Sequence, residues 1–393
     1  MAAKTGMTRR EILTGAAGAA AAASLGGLTG CFPEVGGTWP DAAICPVCTP
    51  PDGGANLDRT TANAPLTGKS RVATIQRSDS VDARGRSTAQ AQIDAVQTMV
   101  DAVLSTLAGG ASNPWSVLLP GAGTCTRVGL KINCLNPAFA TSPAIVRALV
   151  GSLISKLGVC PSNIIVWDRR LDEMKDYTSD DLQGAQLLGT VNSTSAAGGP
   201  GYSHTQYLTL QGSTPLLSRI LTDMTDVTIN CPVLKVHGQT GITAALKNVF
   251  GIIHCPGNFH TDPLKGQDMQ SALPAIYNIG PIRQSIKLTV VDALRAVTNG
   301  DTASAPNSMP GRIFASTDPL ALDYYALDLI NQLRATPPLR LGPVTLPLDW
   351  MENAYQLGLG TKGYSLVTLQ PNGEEADLDG GAPIDGDVVD GKG

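Results

Sequence analysis

Aromatic side chains are scarce in this chain of 393 residues, at 4% of the total. Surfaces that stack sugars or single-stranded nucleic acids are built from aromatic rings, so this scarcity argues against both. A basic excess is also missing, because the formal net charge is −5. Nucleic-acid binders carry a positive face, and we therefore expect no nucleic-acid partner. The sequence has no internal repeat, and the closely spaced cysteines of a ferredoxin are absent as well.

Residues 1–30 have the features of an export signal rather than of a folded segment. Arg9 and Arg10 form a twin-arginine pattern, and the Ala/Gly-rich stretch 15–28 is too mild and too broken to span a membrane. The stretch ends in Leu-Thr-Gly-Cys31, which is typical of a bacterial lipoprotein. We therefore expect export by the twin-arginine machinery and lipidation of Cys31, which attaches the protein to the membrane in the periplasm or cell envelope. The alternative is cleavage elsewhere, with Cys31 left as a thiol.

Composition divides the rest of the chain into three parts. Residues 31–70 are rich in Pro, Gly, Thr and Asn, which is the composition of a flexible tether. Residues 371–393 are rich in Asp and Glu and are interpreted as an acidic disordered tail. Residues 71–370 remain, and about 300 residues of ordinary hydrophobic content fit one large domain.

The chain has eight cysteines. If Cys31 carries lipid, an odd number remains, so they cannot all form disulfides with one another. Cys45 and Cys48 have the spacing of a redox or metal motif, but they lie in the Pro/Gly-rich tether. In an oxidising compartment we favour a small disulfide between them. An iron-sulfur cluster held by scattered cysteines stays open as an alternative.

Apolar periodicity predicts an α/β fold. Helical spacing covers 88–107, and a strand-helix-strand order follows over 128–132, 142–157 and 163–167. This order favours parallel strands joined by right-handed crossovers, so we predict a mostly parallel sheet flanked by helices in a single large domain. Other predicted elements are a surface excursion at 176–215, strands at 227–236, 287–291 and 312–315, and helices at 242–253 and 319–333.

The unit at 227–253 is the most informative one for function. Its predicted strand 227–236 is followed by the loop 237–241, which begins with His237, ends with Gly241 and leads into the predicted helix. In open α/β sheets ligands bind beyond the carboxyl ends of strands, and the free N–H groups of a helix N-terminus bind anions. Lys235, His237 and Lys247 would surround such an anion. The alternative is that both lysines only cap or solvate this segment.

Lys131 interrupts an apolar predicted strand. Burial of an unpaired ammonium is costly, so Lys131 needs a partner. Asp168 ends the next predicted strand and is the candidate, with Arg169 beside it and Asn133 just after Lys131. Either this pair is a core ion pair or it takes part in chemistry, and the sequence leaves both open.

Three histidines lie within one short stretch, at His237, His254 and His260, and Cys255 stands between the last two. Imidazoles this close together can bind zinc, iron or nickel, or provide a general base near neutral pH. Their spacing matches no standard metal motif. Asp292 ends another predicted strand and is a further candidate for a ligand or a base.

Several windows of this sequence resemble domain-of-unknown-function family 362, and specifically its exported twin-arginine branch. The Lys-x-His piece at 235–237 and the Leu-Lys-Asn-x-x-Gly piece at 246–251 are the most specific parts. Some members of that family carry ferredoxin segments, which implies redox or metallocofactor work, but this chain has no such segment. The matching windows are 128–133, 164–169, 234–237, 241–251, 289–293 and 316–323.

The leading hypothesis is an exported, lipid-anchored α/β enzyme whose strand-end pocket binds a small anion or a metal cofactor. The alternative is an iron-sulfur or electron-transfer lipoprotein without catalysis of its own. A solute-binding protein would need two similar lobes, of which the sequence gives no sign. We expect catalytic roles for His237, Asp168 and Asp292, ligand contacts from Lys131, Asn133, Arg169, Lys235, Gly241, Lys247 and Asn248, and ligation of a divalent metal by His254, Cys255 and His260.

Overall fold

The computed structural model describes residues 65–193 and 198–373. The predicted export signal, Cys31, the cysteine pair of the tether and the acidic part of the tail lie outside these ranges. Among the helices that are described, none combines the length and the apolar character that crossing a membrane requires.

The described residues form ten strands and eight α-helices. The strands are β1 Lys69–Gln76, β2 Val128–Lys131, β3 Ile164–Arg170, β4 Gln186–Val191, β5 Val227–Asn230, β6 Val233–His237, β7 Gly241–Thr243, β8 Ile286–Val297, β9 Arg312–Ser316 and β10 Gly363–Leu369. The helices are α1 Gln90–Leu107, α2 Trp115–Leu118, α3 Pro143–Ser152, α4 Ser179–Leu182, α5 Met269–Tyr277, α6 Gly280–Ser285, α7 Pro319–Ala335 and α8 Asp349–Gln356. Single 3-10 turns that border the site are Leu171–Glu173, Lys247–Gly251 and Pro256–Phe259.

All of these strands belong to one sheet. Its order is β10-β1-β9-β8-β5-β2-β3-β4, with β6 paired to β8 and β7 paired to β6. β9 runs antiparallel to β1 and β8, and β7 runs antiparallel to β6, while the other pairs are parallel. The prediction of a mostly parallel sheet in a single α/β domain is therefore confirmed.

The sheet separates two apolar layers. Successive residues of a strand point to opposite faces, so Val166 of β3 packs in one layer and Trp167 packs in the other. α1 and α3 cover the first layer, and α1 contributes Val96, Val100 and Val103 from one face. α5, α7 and α8 cover the second layer. Both faces of the sheet are thus buried, as a parallel sheet requires.

The prediction of a helix at 242–253 is wrong. The chain turns back after β6, forms the short strand β7 and continues into the 3-10 turn Lys247–Gly251. Gly241, at the turn, has a φ of +72°, which glycine adopts without strain. The carboxylate of Asp323 on α7 accepts two consecutive backbone N–H groups of this segment, at 2.6 and 3.0 Å. A side chain distant in sequence thus provides the hydrogen bonds that a helix would have made within itself.

Two other predicted segments also differ. The predicted strand at 227–236 is two strands, β5 and β6, because Pro232 between them has no N–H to donate to a ladder. The predicted surface excursion at 176–215 contains the strand β4, which lies at the edge of the sheet beside β3. β10 and α8 were not predicted.

Candidate functional site

A cavity lies at the carboxyl ends of β2, β3 and β6, against the 3-10 turn Lys247–Gly251. Its volume is about 70 Å³. A buried water needs roughly 10–15 Å³ of such space, so the cavity has room for several waters or one small ligand. Its titratable lining residues are Lys131, Asp168, Arg169, Glu173, Lys235, His237, Lys247 and His260. Asn133, Thr243 and Asn248 add neutral polar groups.

Lys131 and Asp168 form a buried ion pair in the wall of this cavity. Lys131 Nζ lies 2.7 Å from Asp168 Oδ1 and donates to the carbonyl of Ile132 at 2.6 Å. The carboxylate also accepts the N–H groups of Cys134 and Arg169, at 2.6 and 2.7 Å. The two side chains are 1% and 6% exposed, and such a pair is tolerated because additional hydrogen bonds satisfy both charges. Asp168 is therefore the partner that the sequence predicted for Lys131.

Lys235 begins a chain of buried amide side chains. Its Nζ donates to Asn133 Oδ1 at 3.2 Å, which is the single hydrogen bond of this ammonium within the described residues. Asn133 Nδ2 donates to Asn248 Oδ1 at 2.8 Å, and Asn248 Nδ2 donates to Asn230 Oδ1 at 2.7 Å. Burial lowers the pKa of Lys235 from 10.5 to about 8, and the charge of Asp168 partly opposes this shift. One neutral acceptor leaves most of the ammonium unsatisfied.

Lys247 enters the cavity from its 3-10 turn. Its Nζ lies 3.7 Å from the centre of the Phe250 ring, and no part of the described chain accepts a hydrogen bond from it. Burial lowers the pKa of Lys247 well below 10.5, and the charge of Lys235 lowers it further. Thr243 Oγ1, on a 3% exposed residue, also has no hydrogen-bond partner among the described residues. Buried polar groups are normally paired, so both groups mark where a ligand would be bound.

His237 and His260 face each other with ring centres 5.8 Å apart, and backbone contacts assign them opposite tautomers. His237 Nδ1 accepts the N–H groups of Gln239 and Thr240 at 3.1 and 3.3 Å, so its proton is on Nε2. His260 Nδ1 lies 2.9 Å from the carbonyl of Pro256 and must donate to it, so its Nε2 is unprotonated. One ring is thus a donor at Nε2 and the other an acceptor.

Both of these imidazoles are neutral in the folded protein near neutral pH. Burial lowers the pKa of His237 well below 6.5, and the charge of Lys247 adds to this effect. Burial and the charge of Lys247 together lower the pKa of His260 to about 3. A negative ligand would counter the charge of Lys247 and raise both pKa values.

Glu173 is a cavity residue that the sequence analysis missed. It ends the 3-10 turn that follows β3, and its Oε1 lies 3.0 Å from Arg170. Burial, followed by the charge of Asp168, raises the pKa of Glu173 from 4.5 to about 8. The available signal was its place just beyond a strand end, but five of the six residues 168–173 are charged, and such runs are usually solvated.

Two predicted residues have structural roles away from the cavity. Asp292 accepts the N–H groups of Ser142 and Leu294 at 2.7 and 3.0 Å, which secures the start of α3 against β8. Gly241 is needed for the turn, since a Cβ there would lie 2.7 Å from a methyl group of Leu348. Neither Asp292 nor Gly241 lines this cavity, so the structure does not bring them together with the other predicted site residues, and their predicted roles stay predictions. The prediction of an α-helix N-terminus that binds the anion is wrong, because no α-helix begins there.

The three residues predicted to ligate a metal, His254, Cys255 and His260, do not form a metal site. His254 packs against the ring of Tyr202, with ring centres 5.0 Å apart, and does not line the cavity as His260 does. Cys255 is disulfide-bonded, so it has no thiolate to offer. Throughout the described part of the chain, no group of three or more His, Cys, Asp or Glu could hold a metal ion. Cys134 and Cys231 are buried thiols whose pKa is raised by burial, which keeps them neutral.

Fold and site together define an α/β protein with a buried, lysine-rich cavity at its strand ends. Residues 128–328 match the family described as Domain of unknown function (DUF362), and the chain belongs to this family. The match does not reach the N-terminal residues from which the twin-arginine branch was predicted, so that part stays a prediction.

Other comparisons add little. A comparison with curated proteins found no match. Among solved structures, the chain is similar to the lactate racemase apoprotein from Thermoanaerobacterium thermosaccharolyticum, with 14% identity and a TM-score of 0.38. The similarity covers 61% of this chain and 55% of that one, so the chain spans little more than half the length of that protein.

Proposed function

We propose that this protein binds a small anion, such as a carboxylate or a phosphate, in the cavity and performs acid-base chemistry on it. The observation that carries the proposal is the pair of buried ammonium groups at Lys235 and Lys247. Within the described residues the two groups together make one hydrogen bond, from Lys235 to Asn133. Desolvation of an unpaired ammonium costs several kcal/mol. A bound anion between Lys235, Lys247 and the hydroxyl of Thr243 would offset that cost, which explains why the fold tolerates them.

The two histidines supply the chemistry in this proposal. The unprotonated Nε2 of His260 would take a proton from a carbon or oxygen atom of the ligand, and the protonated Nε2 of His237 would give one to it. Charge on the bound anion raises the pKa of His260 from about 3, which makes it a better base when ligand is present. The ion pair of Lys131 and Asp168 holds the wall in place and takes no part in the proton transfer.

Anion binding is tested by calorimetric titration of the full-length protein with sulfate, phosphate, malonate and pyruvate. Lys235→Met and Lys247→Met are each expected to weaken binding at least tenfold, because each removes a positive charge from the cavity. Lys265→Met is the matched control, because the Lys265 side chain is 69% exposed and lies outside the cavity. Unchanged affinity in both cavity variants contradicts the proposed site.

Acid-base chemistry is tested by exchange of carbon-bound hydrogen in malonate and pyruvate with deuterium from the solvent, followed by NMR. We expect the enzyme to accelerate exchange and His260→Gln to lower the rate by about 10² to 10⁴, the usual contribution of a general base. His254→Gln is the control, since His254 lies against Tyr202 away from the cavity. An equal loss in both variants, or no acceleration by the wild type, contradicts this assignment.

We also propose export by the twin-arginine route and a lipid anchor at Cys31, which rest on the sequence around Arg9 and Arg10. Replacement of both arginines by lysine is expected to leave the protein in the cytoplasm of its host. Cys31→Ala is expected to release it from the membrane fraction. Mass spectrometry of the mature N-terminus provides the direct check, and an unlipidated Cys31 in membrane-bound protein contradicts the anchor.

A further inference from the structure

Lys247 combines three features that are uncommon in a lysine. Its residue is 9% exposed, its Nζ is in contact with the Phe250 ring at 3.7 Å, and no group of the described chain accepts a hydrogen bond from it. Burial and the charge of Lys235 lower the pKa of Lys247, which shifts the side chain toward the free amine. A desolvated lysine beside another cation is the arrangement in which an amine acts as a nucleophile.

The groups around Lys247 can handle the protons of such a reaction. The Phe250 ring contacts the amine on one side, and its centre is 5.6 Å from the ring of His260. Lys247, His237 and His260 line the same cavity, and the charge of Lys247 lowers the pKa of both histidines. One imidazole therefore accepts a proton near the amine, while the other presents an N–H to an oxygen atom.

We infer that Lys247 is a covalent site, and that its amine condenses with the carbonyl group of a small 2-oxo acid held in the cavity. This inference rests on the proposed function, since it needs the anion site to hold the carboxylate. Lys235, with its hydrogen bond to Asn133, holds the carboxylate, and Lys247 attacks the adjacent carbonyl carbon. The substrate class is thus narrowed from small anions to small anions that carry a ketone or an aldehyde.

The reaction balances without an oxidant or a reductant. The lone pair of Lys247 Nζ forms a bond to the carbonyl carbon, and the C=O π electrons move to oxygen, which receives a hydrogen bond from His237 Nε2–H. His260 Nε2 takes a proton from the new ammonium and returns it to that oxygen, which gives a carbinolamine. His237 Nε2 then gives its proton to the hydroxyl group, which leaves as water while the nitrogen lone pair forms the C=N bond. The remaining N–H proton of the iminium returns to His237 Nε2. Amine and carbonyl compound become imine and water.

Lys247 is the cavity lysine assigned as the nucleophile, because the nitrogen atoms of the other two already have bonding partners. Lys131 Nζ contacts the carboxylate of Asp168 at 2.7 Å and the carbonyl of Ile132 at 2.6 Å, so it is not free to attack a ligand. Lys235 already donates a hydrogen bond to Asn133. Only Lys247, of these three, has a nitrogen without such a contact in the described chain.

The experiment is reductive trapping in the full-length protein. Pyruvate and glyoxylate are added near pH 7 with cyanoborohydride, which reduces an imine to a stable secondary amine, and the modified lysine is located by peptide mass mapping. We expect Lys247 to be labelled at least about tenfold faster than any exposed lysine, such as Lys265, because surface amines remain protonated at that pH. Sulfate, which competes for the anion site, is expected to slow the labelling.

Two variants keep the assignment testable. Lys247→Arg retains a cation but forms no imine, and Lys235→Met retains the amine of Lys247 but weakens the hold on the carboxylate. The first is expected to abolish the adduct, and the second to slow its formation, while thermal melting verifies that both are folded. Calorimetric binding of pyruvate without a trapped adduct, or an adduct on Lys235 or spread over exposed lysines, overturns the inference and leaves the anion site intact. Absence of binding by sulfate, phosphate and pyruvate overturns the proposed function itself.

Discussion

Replacement of Lys235 by Met is expected to make the protein more stable and, at the same time, less able to bind an anion. The Lys235 residue is 1% exposed, and its ammonium makes one hydrogen bond within the described residues, to Asn133 Oδ1. Met is unbranched and of similar length, so it fills the same space without the charge. The variant thus separates the stability of the fold from the function of the site.

The magnitude follows from the pKa of Lys235, which falls from 10.5 to about 8 on folding. Each unit of that difference is worth roughly 1 to 1.5 kcal/mol, so a charged Lys235 at pH 7 costs on the order of 3 kcal/mol. Loss of the 3.2 Å hydrogen bond leaves Asn133 Oδ1 without this donor, which subtracts about 1 kcal/mol from the stability gained by removing the charge. We therefore expect Lys235→Met to raise the free energy of unfolding by on the order of 2 kcal/mol.

This gain depends on pH in a direction that can be measured. The folded pKa of Lys235 is below the unfolded one, so the unfolded chain binds more protons between about pH 8 and pH 10.5. The stability contribution of this lysine in the wild type therefore rises with pH across that window, and it is absent from the variant. The difference in stability between variant and wild type should shrink as pH approaches 10.

The assay is urea unfolding near pH 7 and near pH 10, with the exposed Lys265→Met variant as the control. That control should change the free energy of unfolding by no more than about 0.5 kcal/mol, because its side chain is 69% exposed. A Lys235→Met protein that is less stable than the wild type near pH 7 would refute the reasoning. A difference that stays constant with pH would show that the ammonium is not the cause.

Three further predictions concern the walls of the cavity and are measured by the same unfolding assay. Gly251→Ala should lose about 1–3 kcal/mol, because a Cβ would lie 2.7 Å from both atoms of the buried ion pair, whereas Gly342→Ala, with open space around it, should change little. Asp168→Asn should lose roughly 3–5 kcal/mol by leaving a buried ammonium unpaired, and a similar loss in the partly exposed Asp226→Asn would count against this explanation. Glu173→Gln should gain stability over the wild type as pH rises from 4.5 to about 8, because the folded carboxyl binds more protons than the unfolded one across that window. A difference in stability that does not change with pH would contradict burial as the cause.

Candidate site residues were predictable where a charge interrupts an apolar strand. Lys131 in β2 was found in this way, and Asp168 was predicted as its partner because it ends the neighbouring strand. Lys235 in β6 was found from its place near the end of a predicted strand. The carboxyl ends of parallel strands meet at one edge of a sheet, so strand ends identified from sequence also locate the cavity. Glu173 and Thr243 escaped this reasoning, because their burial depends on segments that are far away in the chain.

The sequence alone determined the α/β class, the helices α1 and α3 and the strand ends that carry the lysines, because apolar periodicity and buried charges are local signals. Only the tertiary structure decided the path of 242–253, since the backbone there is held by Asp323 from α7 rather than by its own hydrogen bonds. It also decided that His260 meets His237 while His254 does not. The tautomers and lowered pKa values of these groups arise from burial and backbone contacts, which exist only after the chain has folded.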